Sequence, residues 1–373
     1  MASANNPYLL LTPGPLTTTR SVKEAMLKDW CTWDEEYNLL VTSIRDRLTA
    51  LASAIRPNDF TAVLMQGSGS FSIEAALGTA LPREGGKLAV AVNGAYGERM
   101  ALMAEVLGIQ ATVVRFDERE AVNPHLFEQA LMADPDITHA AVVHCETTTG
   151  ILNPLPELAE VVKRQGKVFI VDAMSSFGGI PLDMAELGID FLISSSNKCI
   201  QGVPGFGFVI ARKDAIAACR GNARSLSLDL YDQWDTMERQ NGKWRYTSPT
   251  HAVRAFDQAL KELEAEGGIA ARHARYSRNQ RTLTAGMEEA GFPALLPKEW
   301  QSPIITSFRY PNSAFSFPLF YKSLKEAGFV LYPGKLTSEP TFRIGSIGDV
   351  YEDDMLRLVD IIQSGGMARY NVQ

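Results

Sequence analysis

Two residues of the chain have types and positions that together suggest catalysis. Asp172 ends a short β-branched and aromatic run, residues 168–171. Lys198 follows the polar end of a second apolar run, residues 191–193. Both runs are typical of buried strands in one sheet, whose polar C-terminal ends open onto a site. We therefore expect the carboxylate and the lysine to face the same pocket.

One cofactor, pyridoxal 5′-phosphate, gives both side chains a chemical role. It needs a lysine amine for its aldehyde and an acid beside its ring nitrogen. A desolvated pocket helps the amine to lose its proton. The carboxylate keeps the ring nitrogen protonated, so that the ring accepts electrons from the substrate. The alternative is that Asp172 caps a loop and Lys198 is a solvated strand end, but the apolar strand before each residue favours the cofactor interpretation.

A glycine-rich segment, residues 66–74 (QGSGSFSIE), is predicted to bind the cofactor phosphate. It follows one apolar run and opens a helical pattern. Gly69 lets the backbone approach an anion, Ser68 and Ser70 supply hydroxyls, and the free N–H groups of a helix start favour negative charge. A tight turn is the alternative. A dinucleotide fingerprint is disfavoured because Ser72 stands where its third glycine would be.

Two further strand ends carry candidate cofactor contacts. In residues 93–99 (NGAYGER), Tyr96 could lie flat over the pyridine ring, with a core tyrosine as the alternative. In residues 144–150 (HCETTTG), Thr147 could hydrogen-bond the phenolic oxygen of the cofactor. The neighbouring Glu146 and His144 are candidates for support and substrate contact, although a lone histidine at a strand end is more often structural.

Two segments in the last third of the chain could bind anions. Residues 243–251 (KWRYTSPTH) carry Arg245 and could reach the cofactor phosphate of a partner subunit, or could form a surface loop. In residues 341–349 (TFRIGSIGD), Arg343 lies between apolar neighbours, so its guanidinium needs a partner there. That partner is either a substrate carboxylate or phosphonate, held by two hydrogen bonds, or a structural ion pair.

Composition limits the class of protein. The chain has 373 residues, of which 46% are hydrophobic, which is enough for one large domain and a smaller companion. Its net charge of −7 argues against general binding of nucleic acid or anionic membranes. We see no apolar run of membrane-spanning length and no signal peptide. The four cysteines, at positions 31, 145, 199 and 219, lack zinc-like spacing and fit a cytoplasmic protein, and none is expected to bind metal.

The pattern of apolar runs predicts an α/β fold. Seven runs read as strands, at residues 62–65, 88–92, 111–115, 140–144, 168–171, 191–193 and 206–211. Amphipathic stretches lie between many of them, which predicts a mostly parallel seven-stranded sheet with helices on both sides. We assign residues 16–250 to a large domain. Residues 251–373 are assigned to a smaller α+β domain, and residues 1–15 form an N-terminal arm beside it.

Together, these motifs resemble those of the pyridoxal-phosphate-dependent aminotransferases of class V, which have fold type I. The resemblance covers nearly the whole chain, and the motifs stand in matching order. It implies that Lys198 and Asp172 are catalytic and that Arg343 binds substrate. It further implies a homodimer with shared active sites, to which the partner donates two residues. The implied cofactor-binding residues are Ser68, Gly69, Ser70, Tyr96, Thr147, Asp172, Asn197, Lys198, Tyr246 and Thr247, the donated pair being Tyr246 and Thr247.

Within this class, three stretches are most similar to members that use a phosphonate amine: LLLTPGPLTTTRSVKEAMLKDWCTWDEEYN, HCETTTGILNP and SSSNKCIQGVPGFGFVIAR. The implied reaction moves the amino group of 2-aminoethylphosphonate to pyruvate, giving phosphonoacetaldehyde and L-alanine, in phosphonate degradation. The alternative is an alanine:glyoxylate or serine:pyruvate aminotransferase, since these share the same cofactor residues. A cysteine desulfurase is disfavoured because no cysteine follows Cys219.

Overall fold

A computed structural model describes residues 7–336 and 339–371. The strands are β1 (Leu9–Leu10), β2 (Phe60–Gln66), β3 (Lys87–Val92), β4 (Gln110–Arg115), β5 (His139–Val143), β6 (Cys145–Glu146), β7 (Ile151–Leu152), β8 (Val168–Asp172), β9 (Phe191–Ser195), β10 (Phe206–Arg212), β11 (Ile305–Arg309), β12 (Phe329–Val330), β13 (Tyr332–Pro333) and β14 (Thr341–Gly345).

The α-helices are α1 (Arg20–Glu24), α2 (Glu35–Ala52), α3 (Gly69–Ala80), α4 (Ala95–Val106), α5 (Pro124–Ala133), α6 (Leu155–Arg164), α7 (Met184–Leu187), α8 (Lys213–Ala217), α9 (Leu230–Arg239), α10 (Thr250–Glu266), α11 (Gly268–Glu289), α12 (Phe317–Glu326) and α13 (Glu352–Gly365). Short 3₁₀ turns are Ala25–Leu27, Pro57–Asp59, Lys298–Trp300 and Met367–Tyr370. None of these described helices is long and apolar enough to cross a membrane.

The centre of the fold is a seven-stranded sheet with the order β2-β10-β9-β8-β5-β3-β4. Neighbouring strands from β9 to β4 pair in parallel, whereas β10 is antiparallel to both β2 and β9. All seven predicted strands and the mostly parallel sheet are therefore confirmed. The two-residue strands were not predicted, because so short a pair carries no alternation of apolar and polar residues.

The inner strands of this sheet are apolar because both of their faces are covered. Every residue of β5 and of β9 is buried, as parallel strands between two layers require. The edge strand β4 is largely exposed or half-buried. Because β2, β3, β5, β8 and β9 run in the same direction, their carboxyl ends meet at one edge of the sheet, where the predicted site residues begin.

A second hydrophobic core lies in the C-terminal part of the chain, around the three-stranded antiparallel sheet β11-β14-β13 and the helices α11 to α13. Leu9 and Leu11 of the N-terminal arm belong to this core, and β1 pairs in parallel with β12. The presence of two separate hydrophobic cores is consistent with a division into two domains. The boundary at residue 250 stays a prediction, because Phe256 and Leu260 of α10 pack into the core of the large sheet. Residues 1–6, 337–338 and 372–373 of the predicted arm and small domain lie outside the described residues.

Candidate active site

The structure brings Asp172 and Lys198 to the same edge of the large sheet. Asp172 is the last residue of β8 and lies between Val143 of β5 and Ile193 of β9. Lys198 follows shortly after the end of β9, and the charges of Asp172 and Lys198 each influence the pKa of the other group. The two residues therefore lie at one edge of the sheet, as the strand ends indicated, and that they face a common pocket stays a prediction.

The environment of Asp172 fits the acid that a pyridine nitrogen needs. The side chain is buried, and its Oδ1 accepts a hydrogen bond from the N–H of Met174 at 2.8 Å. Burial raises the pKa of Asp172 to about 6, although the Met174 N–H and the positive charges of Lys198 and Arg99 oppose this rise. Within the described residues Oδ2 makes no hydrogen bond, which leaves it available to a protonated ring nitrogen.

The amine of Lys198 lies against the N-terminal arm. Nζ donates a hydrogen bond to the carbonyl of Pro13 at 3.1 Å, and burial lowers the lysine pKa. Gly14 has a φ of +125°, and a Cβ at this position would lie 2.6 Å from Cδ of Lys198. Sequence reasoning missed this contact, although the glycine between two prolines in the arm was a signal for close approach. The adjacent Asn197 accepts a hydrogen bond from the hydroxyl of Ser195 at 3.0 Å.

The start of α3 has the features of a phosphate seat. Ser68 precedes the helix, and its side chain makes no capping hydrogen bond, so it does not occupy the N–H groups there. A Cβ on Gly69 would overlap the thioether of Met174, so the backbone approaches that residue as only glycine permits. Nη1 of Arg99 lies 3.3 Å from the hydroxyl of Ser70 and adds a positive charge that the sequence analysis did not identify.

Tyr96 lies in the first turn of α4, among cationic groups. The guanidinium of Arg99 is 5.1 Å from the ring centre and the amine of Lys335 is 5.4 Å from it. Burial raises the pKa of Tyr96, but Thr147 and the charges of Lys198 and neighbouring cations outweigh burial and leave this pKa below its ordinary value. Tyr96, the residue predicted to stack on the cofactor ring, therefore lies close to both Thr147 and Lys198.

Arg343 is buried in β14, and no acidic partner lies beside it among the described residues. Its Nη1 donates to the carbonyl of Thr147 at 2.9 Å, and its Nε donates to the carbonyl of Pro333 at 3.0 Å. Within residues 7–336 and 339–371 no carboxylate forms an ion pair with this guanidinium, so the structural ion pair considered from the sequence is not found there. Burial lowers the pKa of Arg343. A buried cation without a carboxylate is the expected state of a site whose anion is the substrate.

Tyr246 and Thr247 are both exposed in the single chain. Tyr246 lines a groove together with Gln66 and Gly67, next to the phosphate seat. Arg245 donates to the carbonyl of Leu226 at 3.1 Å in its own chain. Its reach to the cofactor phosphate of a partner subunit stays a prediction. Donation of Tyr246 and Thr247 to a partner site stays a prediction.

The thiol next to Lys198 in the sequence, that of Cys199, is structural. Cys199 is buried, its thiol donates to the carbonyl of Ser175 at 3.3 Å, and burial raises its pKa to about 12, so it is a packing residue and not a reactive thiol. The described residues contain no group of three or more His, Cys, Asp or Glu placed to hold a metal ion. The site thus offers an amine, an acid, an anion seat and a buried arginine.

Comparison with known proteins gives consistent results. The family model "Aminotransferase class-V" matches residues 34–358. A 2-aminoethylphosphonate–pyruvate transaminase from Bacillus mycoides is 61% identical over 360 residues, covering 96% of this chain and 98% of that protein. A transaminase of the same name from Bacillus cereus is 59% identical over 362 residues, covering 97% of this chain and 99% of that protein.

The fold is also similar to that of solved aminotransferases. The crystal structure of pyridoxamine-pyruvate aminotransferase from Mesorhizobium loti matches with a TM-score of 0.89, covering 99% of this chain and 94% of that chain. The sequence identity to it is 21%, so this similarity bears on the fold alone.

Proposed function

The chain belongs to the class-V aminotransferase family, and on that basis we propose that it binds pyridoxal 5′-phosphate and moves the amino group of 2-aminoethylphosphonate to pyruvate. The products are phosphonoacetaldehyde and L-alanine. The observation that carries the proposal is the buried Arg343, which lacks an acidic partner among the described residues and lies close to Tyr96. The names of relatives about 60% identical over nearly the full chain support the choice of substrates.

Each site residue has a role in this reaction. When bound, pyridoxal phosphate supplies an electron sink that makes the C–H bond beside the substrate nitrogen acidic. Lys198 would hold the cofactor through its aldehyde, and its Nζ would be the base that moves the proton on that carbon. Asp172 would keep the ring nitrogen of the cofactor protonated. Tyr96 fixes the ring plane, and Thr147 and Asn197 support the ring edge.

The cofactor phosphate and the anionic group of the substrate have separate binding groups. The N–H groups at the start of α3 and the hydroxyls of Ser68 and Ser70 would bind the cofactor phosphate, and Gly69 would allow its approach. Arg343 binds the carboxylate of pyruvate, and the phosphonate of the amino donor takes the same place in the other half-reaction. One arginine can serve both because a planar guanidinium offers paired donors to either group.

An amino-donor and acceptor panel on purified protein tests the substrate assignment. We expect 2-aminoethylphosphonate with pyruvate to give the highest kcat/KM, measured by alanine formation. Faster turnover of alanine with glyoxylate, or of serine with pyruvate, would instead support the alternative aminotransferase. Lys198→Ala should abolish turnover, and normal turnover of that variant would contradict the assigned base.

The role of Arg343 is tested by Arg343→Gln. Loss of a paired, charged hydrogen bond should raise the KM for pyruvate by about 100-fold. The matched control is Arg309→Gln, which changes an arginine on the adjacent strand β11 that is ion-paired with Glu339. The control should keep the KM for pyruvate within about twofold, because additivity holds for sites without shared partners. Equal effects of both variants would contradict a specific anion clamp.

The protein is further proposed to be a cytoplasmic homodimer whose partner subunit supplies Tyr246 and Thr247. Three free thiols buried in the fold support a reducing compartment. Mixed dimers of a Lys198→Ala chain with a chain carrying Tyr246→Ala and Thr247→Ala test the sharing of sites. Activity should return on mixing, because one site then has an intact lysine and intact donated residues. Mixed dimers that stay inactive would place both residues in their own subunit's site.

A further inference from the structure

Helix α4, which carries Tyr96, begins without a capping side chain of its own. The residue before its first turn is Gly94, which offers no side-chain oxygen to the free N–H groups of the helix start. Glu146, the last residue of β6, supplies the missing acceptor. Its Oε1 accepts from the N–H of Tyr96 at 3.0 Å and from the N–H of Gly97 at 2.8 Å.

Position 94 needs a glycine because the carboxylate of Glu146 lies close to it, and not because of the backbone conformation there. Its φ of 174° is extended and suits any residue. A Cβ there would lie 2.6 Å from Cδ and 2.7 Å from Oε2 of Glu146. Glu146 is fully buried. Although it comes from a distant part of the sequence, its carboxylate occupies the place that an N-cap side chain would take.

The residue after Glu146 contacts the substrate-binding arginine. The carbonyl of Thr147 accepts from Nη1 of Arg343 at 2.9 Å. Two adjacent residues thus fix the two ends of the site, since the side chain of Glu146 holds Tyr96 and the backbone of Thr147 holds Arg343. Burial, together with the nearby charge of Asp172, raises the pKa of Glu146 to about 7. Because Gly97 is also buried, loss of the Glu146 acceptor would leave the N–H of Gly97 without this partner.

We propose that Glu146 is a positioning residue, which sets the distance between the ring-stacking Tyr96 and the anion-binding Arg343 through the dipeptide Glu146–Thr147. This inference rests on the proposed function, because that function assigns the roles of Tyr96 and Arg343. Glu146 itself touches neither substrate nor cofactor in the proposed arrangement. Its removal therefore changes the geometry of the site and leaves its chemical groups in place.

Glu146→Ala tests the proposal by titration of the apoprotein with pyridoxal phosphate. We expect the Kd for the cofactor and the KM for pyruvate each to rise by more than about tenfold, because small misplacements of binding groups cost this much. Glu146→Gln keeps an acceptor oxygen and should restore most of both affinities. A glutamine variant as weak as the alanine variant would overturn the positional role.

A matched control separates positioning from general loss of stability. Asp183→Ala also removes a carboxylate that accepts from two N–H groups at a helix start, those of Ala185 and Glu186 in α7. We expect a comparable loss of Tm from Asp183→Ala with the cofactor Kd and the KM for pyruvate unchanged. The inference fails if Glu146→Ala and Asp183→Ala affect both binding constants alike.

Gly94→Ala gives a second, independent test. The added methyl group should displace the carboxylate of Glu146 and reproduce the loss of cofactor affinity. In a Glu146→Ala background the space is free, so the double variant should be no worse than Glu146→Ala alone. Additive losses would overturn the proposal. If the wild-type apoprotein itself does not bind pyridoxal phosphate, the proposed function fails, which is a different result from that of any variant.

Discussion

Burial shifts the pKa values of Lys198 and Asp172 in opposite directions. It lowers the pKa of Lys198 and raises that of Asp172 to about 6, because an apolar environment disfavours the charged form of each. A neutral amine is the form that attacks a carbonyl. A buried carboxylate needs a cationic partner to stay charged, and a protonated pyridine nitrogen is such a partner.

Asp172→Asn should lower kcat by about 100-fold or more, because an amide does not stabilise a protonated ring nitrogen as a carboxylate does. Steady-state rates with 2-aminoethylphosphonate and pyruvate measure this. The matched control is Asp190→Asn, a buried acid just before β9 that accepts the N–H of Phe169 at 2.8 Å. It should affect stability and leave kcat largely unchanged. Equal loss of kcat in both variants would contradict the role of Asp172.

His139 provides a prediction about pH. Burial lowers its pKa from 6.5 to about 4, so the neutral ring contributes stability above pH 6.5 that is lost as the pH falls towards 4. Between pH 7 and pH 4.5, the free energy of unfolding of the wild-type apoprotein should fall by about 2 kcal/mol more than that of His139→Asn. Denaturant unfolding at the two pH values measures this. The comparison with the variant is needed because His144 adds to the same loss, whereas Asp172 and Glu146, whose pKa values are raised, oppose it. Equal losses of unfolding free energy in wild type and His139→Asn would contradict a buried, neutral ring at His139.

Among the elements, the N-terminal arm connects the two parts of the site. The carbonyl of Leu11 accepts from the N–H of Gly345 in β14 at 2.9 Å, two residues after Arg343. The carbonyl of Pro13 then accepts from the amine of Lys198. The arm therefore covers the lysine from the side of the second core and contributes to its desolvation.

Gly14→Ala should slow turnover by about tenfold or more, because the new methyl group displaces the lysine chain and misplaces its amine. Single-turnover rates with 2-aminoethylphosphonate measure this directly. Gly328→Ala is the matched control, since Gly328 also has a positive φ, of +92°, and its carbonyl pairs with Leu9 of the same arm. Both variants carry backbone strain of about 1 kcal/mol. Similar rates for the two variants would show that strain alone, and not contact with Lys198, matters.

On the scale of the whole molecule, the start of α11 joins the loop of Lys198 to the segment that follows the strand of Arg343. Arg272 donates to the carbonyl of Cys199 at 2.8 Å, and Arg275 donates to the carbonyls of Gly348 and Val350 at 2.8 Å. Both arginines form ion pairs with Glu266. The relative placement of Lys198 and Arg343 therefore depends on this buried charge cluster as well as on the sheet.

Glu266→Gln should lower the free energy of unfolding by about 3 kcal/mol, because it leaves two buried guanidinium groups without their counter-charge. Urea unfolding monitored by circular dichroism measures this. Glu264→Gln, two residues earlier in the same helix, removes an exposed pair with Arg47 and should cost less than about 1 kcal/mol. A small effect of Glu266→Gln would mean that the backbone carbonyls satisfy Arg272 and Arg275 on their own.

The large sheet and its principal site residues were predictable because their causes are local. Apolar runs identify strands that are buried on both faces, and parallel strands necessarily bring their carboxyl ends to one edge. That rule was sufficient to place Asp172 and Lys198 together. The same reasoning anticipated a buried Arg343, since an arginine among apolar neighbours in a strand must find a partner.

Other parts of the site depended on contacts between remote segments, which no local pattern encodes. The carbonyl of Pro13 at Lys198, Arg99 beside Ser70 and the carboxylate of Glu146 at the start of α4 exist only once the chain has folded. Sequence determined which side chains could do the chemistry. The tertiary structure decided which backbone groups hold them, because a free N–H or carbonyl takes its partner from whatever packing brings within hydrogen-bond distance.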